Sequence, residues 1–450
     1  MADTPPPPVH ASGWWSPANR RALGLFVFFF LVIACFWLQK PIRTSRFLTA
    51  VGPQNLPWVK LGTALLILPV VMLYSAAAAR YRREHIVYLC VAVFIAASVG
   101  FWWAFSRASE PTWTHYVYFF YVDVFNSVMV ALFWSFANDL SDPAEARRTY
   151  GFVGAGGILG GAVGSSLTGI SAERLGTANL LLICVGGLVA IAALARWVAA
   201  SARELGATTA IEEKREPGLR DAVAGARLTF ASPYLASIAL LVGLYEIVSN
   251  VIDYQFNVLV AARYHEEAAM ASFLGLFNSA AIVASLCVQF LLTTWILRRW
   301  GPRVGLLLLP LALAGGSAGF LLLPSFLTIA ACFFSDATLS YSLNQSTKES
   351  LYTPTDSAAK YQAKAFIDMF LMRFAKGLSA VMILAWIAWF APHGWQTHQL
   401  GGLSLAVIAL WLLVARRAAR RYEALVRPNP QPTPSDSSTP LSVPAHRAVA

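Results

Sequence analysis

Charge is what this sequence has least of: Asp, Glu, Lys and Arg make up 13% of its 450 residues, about half the share usual in soluble domains. With 57% of residues hydrophobic, a water-soluble globule is excluded, because too few polar side chains remain to cover its surface. Cysteine is scarce as well. Cys35, Cys90, Cys184, Cys287 and Cys332 all lie inside apolar runs, with neither pairing nor metal-ligand spacing, and read as small buried hydrophobes. The seven histidines are scattered, mostly in loops and ends. With no spaced His/Asp/Glu set and no nucleophile constellation, no metal, cofactor or enzyme activity is expected. A phosphate loop ending in Lys-Ser/Thr is missing too, so no ATP hydrolysis is expected to drive the protein. The opening "MADTPPPPVHASGWWSPANRR" lacks the cationic start and short apolar core of a secretory leader.

What the sequence has instead is long apolar runs. A bilayer-spanning helix needs about 20 mostly apolar residues. Runs of that length fall near 22–39, 58–79, 85–105, 115–137, 151–171, 178–199, 233–258, 270–297, 303–323, 325–345, 366–391 and 399–418. The expected fold is therefore an all-α polytopic membrane protein of about twelve transmembrane helices. The charged stretch "ARELGATTAIEEKREPGLRDAVAGAR" divides it into six-helix bundles over 22–199 and 233–420, joined by a cytoplasmic linker at 200–232. Residues 1–21 and the Pro/Ser/Thr-rich 421–450 are expected to be disordered cytoplasmic segments.

The net charge of +11 falls in short clusters between apolar runs, a pattern of membrane topology rather than of nucleic-acid binding. Basic residues crowd alternate loops: Arg20/Arg21, Arg80/Arg82/Arg83, Arg147/Arg148, Arg298/Arg299/Arg303, Lys348/Lys360/Lys364 and Arg416/Arg417/Arg420/Arg421. The positive-inside rule makes these loops and both termini cytoplasmic. The halves echo each other. "AAARYRREHIVYLC" matches "TWILRRWGPRVGLLL" in position, and "SDPAEARRTYGFVGAGG" matches "PTDSAAKYQAKAFIDMF". Corresponding repeats of this kind characterise two-lobed carriers with a site near the midplane, and the basic turns resemble a degenerate form of the cytoplasmic signature of the major facilitator superfamily.

Gly154-Ala155-Gly156 in "GFVGAGGILGGAVG" lacks the preceding strand of a dinucleotide fingerprint, and is read as small residues that let two membrane helices approach closely. Ionisable residues inside spans are expensive, so they point to a cavity or a partner. In the seventh span Glu246, Asn250, Asp253 and Asn257 recur along one helical face. This stripe either lines a cavity or supplies an ion pair that closes the two bundles. In the fourth span Tyr116, Phe119 or Phe120, Asp123 and Ser127 share a face, and Asp336 sits in the middle of the tenth. Lys364 and Asp368, at i and i+4, are expected to pair. Arg373 and Lys376 lie deeper in the eleventh span.

One loop breaks the topology rule. "QKPIRTSR" puts Lys40, Arg43 and Arg46 at the non-cytoplasmic end of the first span. If Pro41 bends that end inward, these cations face an anionic ligand, with Arg373 and Lys376 opposite them. Arginine's planar fork grips phosphate or carboxylate bidentately, and lysine adds a point charge.

Three stretches, "FWLQKPIRTSRFLTAVGPQNLPWVKLGTALLILP", "FWSFANDLSDPAEARRTYGFVGAGGILGG" and "STKESLYTPTDSAAKYQAKAFIDMFLMRFAKGLSA", resemble the ATP/ADP translocase-type (NTP/NDP exchange) carriers of bacteria and plastids. The resemblance spans roughly residues 22–420. It implies a facilitator-like fold, exchange of ATP for ADP and phosphate or proton-coupled nucleotide uptake, and a cationic role for Lys40, Arg43 and Arg373. Two departures remove negative charge. Thr44 stands where relatives commonly carry an acid, and Arg373-Phe374-Ala375-Lys376-Gly377 stands where they tend to read Arg-Gly-Gly-Asp-Ala. The leading expectation is a monomeric secondary carrier of an organic anion, working by alternating access in the lipid bilayer without nucleic acid. The alternatives are a carrier of another solute, driven by protons on Asp123, Glu246, Asp253 or Asp336, and a non-transporting membrane sensor.

Overall fold

The computed structural model describes residues 17–81, 83–107, 109–141, 143–204, 219–355 and 357–426. Six long helices form the first bundle: α1 (Pro17–Ala50), α2 (Leu56–Arg80), α3 (Arg83–Phe105), α4 (Thr112–Leu140), α5 (Pro143–Leu175) and α6 (Thr177–Glu204). After α7 (Leu219–Ala231), the second bundle contains α8 (Pro233–Arg263), α9 (Glu267–Cys287), α10 (Thr294–Leu322), α11 (Phe326–Leu339), α12 (Gln345–Leu351), α13 (Ser357–Phe366), α14 (Met372–Trp389) and α15 (Leu400–Val426). Local signals set the boundaries. Ser232 accepts from the Leu235 amide and Pro233 occupies the first turn of α8, a strong helix start. Gly176, with φ 77°, makes the one-residue turn between α5 and α6, a backbone state that disfavours a side chain.

Among the described residues, eleven helical stretches are long and apolar enough to cross a membrane, rather than the twelve runs counted in sequence. The difference is one continuous stretch, Glu267–Leu322, of 56 residues. At 1.5 Å per residue it is about 84 Å long, more than twice a hydrocarbon core of about 30 Å. Gly301 breaks its helical backbone with φ 72°, just before Pro302, so the stretch crosses twice.

Some boundaries differ from the sequence reading. Helix α1 starts at Pro17 and α15 runs to Val426, inside segments expected to be disordered, while α7 occupies the end of the expected linker. The rest of those expectations, over 1–16, 205–218 and 427–450, lies outside the described residues.

The glycine-rich run does what its small residues suggest. A Cβ on Gly160 would meet the Phe30 carbonyl oxygen at 2.2 Å, and one on Gly164 the Ala34 oxygen at 2.2 Å, so α5 lies against the backbone of α1. Further along, α5 meets α9 of the other bundle. There a Cβ on Gly275 would sit 2.5 Å from the Gly169 nitrogen and 2.7 Å from the Ser165 oxygen. Backbone cannot yield as a side chain does, so Gly275→Ala is expected to cost about 1–3 kcal/mol by overpacking. Thermal unfolding of the purified protein should show it melting below Gly243→Ala, whose added methyl has its nearest neighbour at 4.0 Å.

In the half away from the chain ends the bundles are joined by hydrogen bonds and ion pairs. Arg46 and Thr177 meet Glu267, and Lys60 meets Asp253. Ser165 donates to the Gly275 carbonyl, Ser272 to that of Gly169 and Ser279 to that of Ala162, while the Ser166 and Ser279 hydroxyls bond each other. Three spans of the second bundle carry a π-helical turn, at Val288–Thr293, Ser340–Asn344 and Ile367–Leu371.

A charged cavity between the bundles

A cavity of about 610 Å³ separates the bundles, walled by α1, α2 and α4 on one side and chiefly by α8, α11, α12 and α14 on the other. It lies inward of the joined half, and Lys348 and Asp368 carry its wall toward the chain ends. Six cations and five carboxylates line it: Lys40, Arg43, Lys60, Lys348, Arg373 and Lys376 against Asp123, Glu246, Asp253, Asp336 and Asp368.

Most of that charge is matched. The Arg43 guanidinium donates to Asp123, whose second oxygen accepts from Thr63 Oγ1 at 3.1 Å, and it lies 4.1 Å from the Phe119 ring centre. Lys60 pairs with Asp253 across the bundles. Lys376 Nζ stands 3.6 Å from Glu246, and Lys348 Nζ 3.3 Å from Asp368. Among the described residues, no carboxylate lies within 4 Å of Lys40 or Arg373. Lys40 Nζ instead sits 4.1 Å over the Trp37 ring. One acid, Asp336, likewise has no cation within 4 Å.

Of the sequence candidates, Lys40, Arg43, Asp123, Glu246, Asn250, Asp253, Asp336, Arg373 and Lys376 all line this cavity. The stripe on α8 does so over its whole length, since Asn257 lines it too. Both readings of that stripe are realised at Asp253, which lines the wall and also ties the bundles together through Lys60.

Two candidates lie elsewhere. Arg46 is a turn further along α1, buried between the bundles. Its Nη1 is 3.2 Å from Glu110, its Nε 3.1 Å from Glu267 and its Nη2 3.0 Å from the Thr177 hydroxyl, with its guanidinium 3.9 Å from the Phe105 ring centre. Such a packed guanidinium joins helices and is closed to a solute. Tyr116 packs edge-on against Phe47, ring centres 5.2 Å apart, away from the cavity. The expected Lys364–Asp368 pair also gives way: Lys364 binds Glu349 at 2.6 Å and Asp368 takes Lys348, because α12 runs alongside. Pro41 does line the cavity, but α1 continues through it to Ala50.

The site contains groups that sequence reading passed over. Lys60 stands alone in the apolar run of α2, and an unexplained cation there was the signal available. Asn126 and Asn278 also reach the wall, each a single amide rather than part of a stripe like that on α8.

Comparison with known proteins places the chain among transporters. A family model described as TLC ATP/ADP transporter matches residues 98–339 and 321–422. ADP,ATP carrier protein 1 of Chlamydia pneumoniae is 25% identical over 368 residues, covering 73% of this chain and 72% of that protein. The chloroplastic ADP,ATP carrier protein 1 of Arabidopsis thaliana is 24% identical over 346 residues, and the match spans 70% of this chain but only 55% of the plant protein. Among solved structures, a bacterial homologue of the iron transporter ferroportin, in an inward-facing state, superposes with TM-score 0.66 over 89% of this chain and 98% of that one, at 14% identity. The nucleoside transporter NupG superposes with TM-score 0.61 over 91% of this chain and all of its own, at 11% identity. The facilitator-like fold expected from the repeats is the one observed.

Proposed function

Because the chain belongs to the TLC ATP/ADP transporter family, we propose that it carries a nucleotide or related organic phosphate across the bacterial inner membrane by alternating access, exchanging one such anion for another. The observation that carries this reading is the pair of unmatched cations, Lys40 on one bundle and Arg373 on the other, in a cavity large enough for a small ligand. A polyanion bridging them would restore charge balance and touch both bundles at once, which is what lets a bound solute bias a rocking motion. The residues proposed to hold it are Lys40, Arg43, Arg373 and Lys376, with Asp123, Glu246, Asn250 and Asp253 arranging the cations. With both ends cytoplasmic, the joined half is the periplasmic one, and the cavity drains inward. The protein acts as a carrier rather than an enzyme, its partners being the solute and the lipid around it.

Reconstitution in liposomes tests this directly. Uptake of labelled ATP should be rapid into vesicles loaded with ADP and near background into empty ones. Equal uptake into both would remove exchange from the account. No competition from any nucleoside di- or triphosphate would remove the nucleotide.

A further inference from the structure

One carboxyl in the cavity is treated differently from the rest. Asp123, Glu246, Asp253 and Asp368 each have an Arg or Lys nitrogen within 4 Å. Asp336, on α11, has none. It is 3% exposed, one oxygen accepts from Ser249 Oγ at 2.5 Å, and its other oxygen is buried without a hydrogen-bond partner. Its surroundings supply no counter-charge. From α8 it faces Tyr245, Glu246 and Asp253, and its own helix brings Cys332. Tyr341 of the following π-helical turn completes this set. The stretches of α9 and α10 packed behind it, 268–286 and 304–322, contain no charged residue at all. Lys376, which faces Tyr341, is committed to Glu246.

A bare carboxylate in such a place is costly, whereas a neutral acid hydrogen-bonded to a serine is tolerated. We propose that Asp336 is a proton-binding site on the wall of the transport cavity, loaded from the open side, and that its proton crosses with the solute. The arrangement divides the labour. The paired acids fix the cations that meet the anion, and the unpaired one holds a proton whose charge offsets the anion's. Moving part of an anionic load as a neutral unit lowers the electrical work of crossing, about 2.3 kcal/mol per charge per 100 mV. The coupling rests on the carrier reading above, while the proton site itself does not.

Two measurements keep those apart. Infrared spectroscopy of the purified protein, with no solute added, should show the C=O stretch of a buried protonated carboxyl. That band should vanish in Asp336→Asn, persist at shifted frequency in Asp336→Glu, and remain in Asp253→Asn. A band absent from the parent protein, or unchanged in Asp336→Asn, overturns the site whatever the cargo. In liposomes an acid-outside pH gradient should drive accumulation of labelled ATP, and Asp336→Asn should lose that accumulation while retaining ATP/ADP exchange. Loss of both activities, with the fold intact by thermal melting, would make Asp336 a structural or solute-binding group and overturn the coupling. A band that behaves as expected in a protein that moves no nucleotide would overturn the carrier reading and leave the proton site standing.

Discussion

Lys40→Ala and Arg373→Ala should each weaken ATP binding by roughly ten- to a hundredfold, the loss of one charge-assisted contact worth about 1.5–3 kcal/mol. The reasoning is electrostatic. Arg43, Lys60, Lys348 and Lys376 are each held by a carboxylate, so a bound phosphate must compete with that acid for them. Lys40 and Arg373 have no such competitor and give their full attraction to the ligand. Arg107→Ala is the control, because that guanidinium stacks on Trp103 at 3.4 Å, outside the cavity. Titration calorimetry or displacement of labelled ATP reads the difference. The double variant should fall further than either single one if one anion bridges both bundles, and no further if the two cations serve alternative poses. Equal small effects for all three residues would end the case for a two-sided anion site.

The second large effect belongs to Arg46. Its side chain is 7% exposed and faces both Glu110 of the first bundle and Glu267 of the second. Arg46→Ala strands two partly buried acids beside each other, a change expected to cost about 3 kcal/mol. Because Glu267 is across the bundle interface, the penalty falls on the state in which this end is closed. The expected result is a lower melting temperature together with greater access from the joined side. A cysteine placed at Asn278, on a background free of the native cysteines, should react faster with an impermeant thiol reagent. Unchanged labelling would show that Arg46 braces its own bundle only.

Residues Lys40, Arg43 and Arg46 show where sequence reading succeeds and where it stops. A cationic triplet at the end of an apolar run announces a role, since membrane loops on that side rarely keep three positive charges. Helical spacing places Arg43 and Arg46 on neighbouring positions of one face, so nothing local separates a cavity arginine from a clamp. What separates them is the start of α9, more than 200 residues further along the chain, whose Glu267 closes over Arg46 alone. The Lys60–Asp253 pair was illegible for the same reason: its partners lie 193 residues apart and share no periodicity. The acidic stripe on α8 was readable because four polar positions at helical spacing in an apolar run have no other economical explanation. Span number was readable from length alone. The merging of two spans through Gly301 was not, since a basic turn with glycine and proline looks like an ordinary loop.

The three π-helical turns, finally, bear on how the molecule moves. Each lies in the second bundle, in the half of its span toward the chain ends. A wide turn carries one surplus residue and bends more easily than the α-helix around it. Among the described residues these wide turns fall in one half only: three struts of the second bundle have built-in elbows. If the two bundles rock about the cavity as proposed, those elbows are where the second bundle is expected to flex.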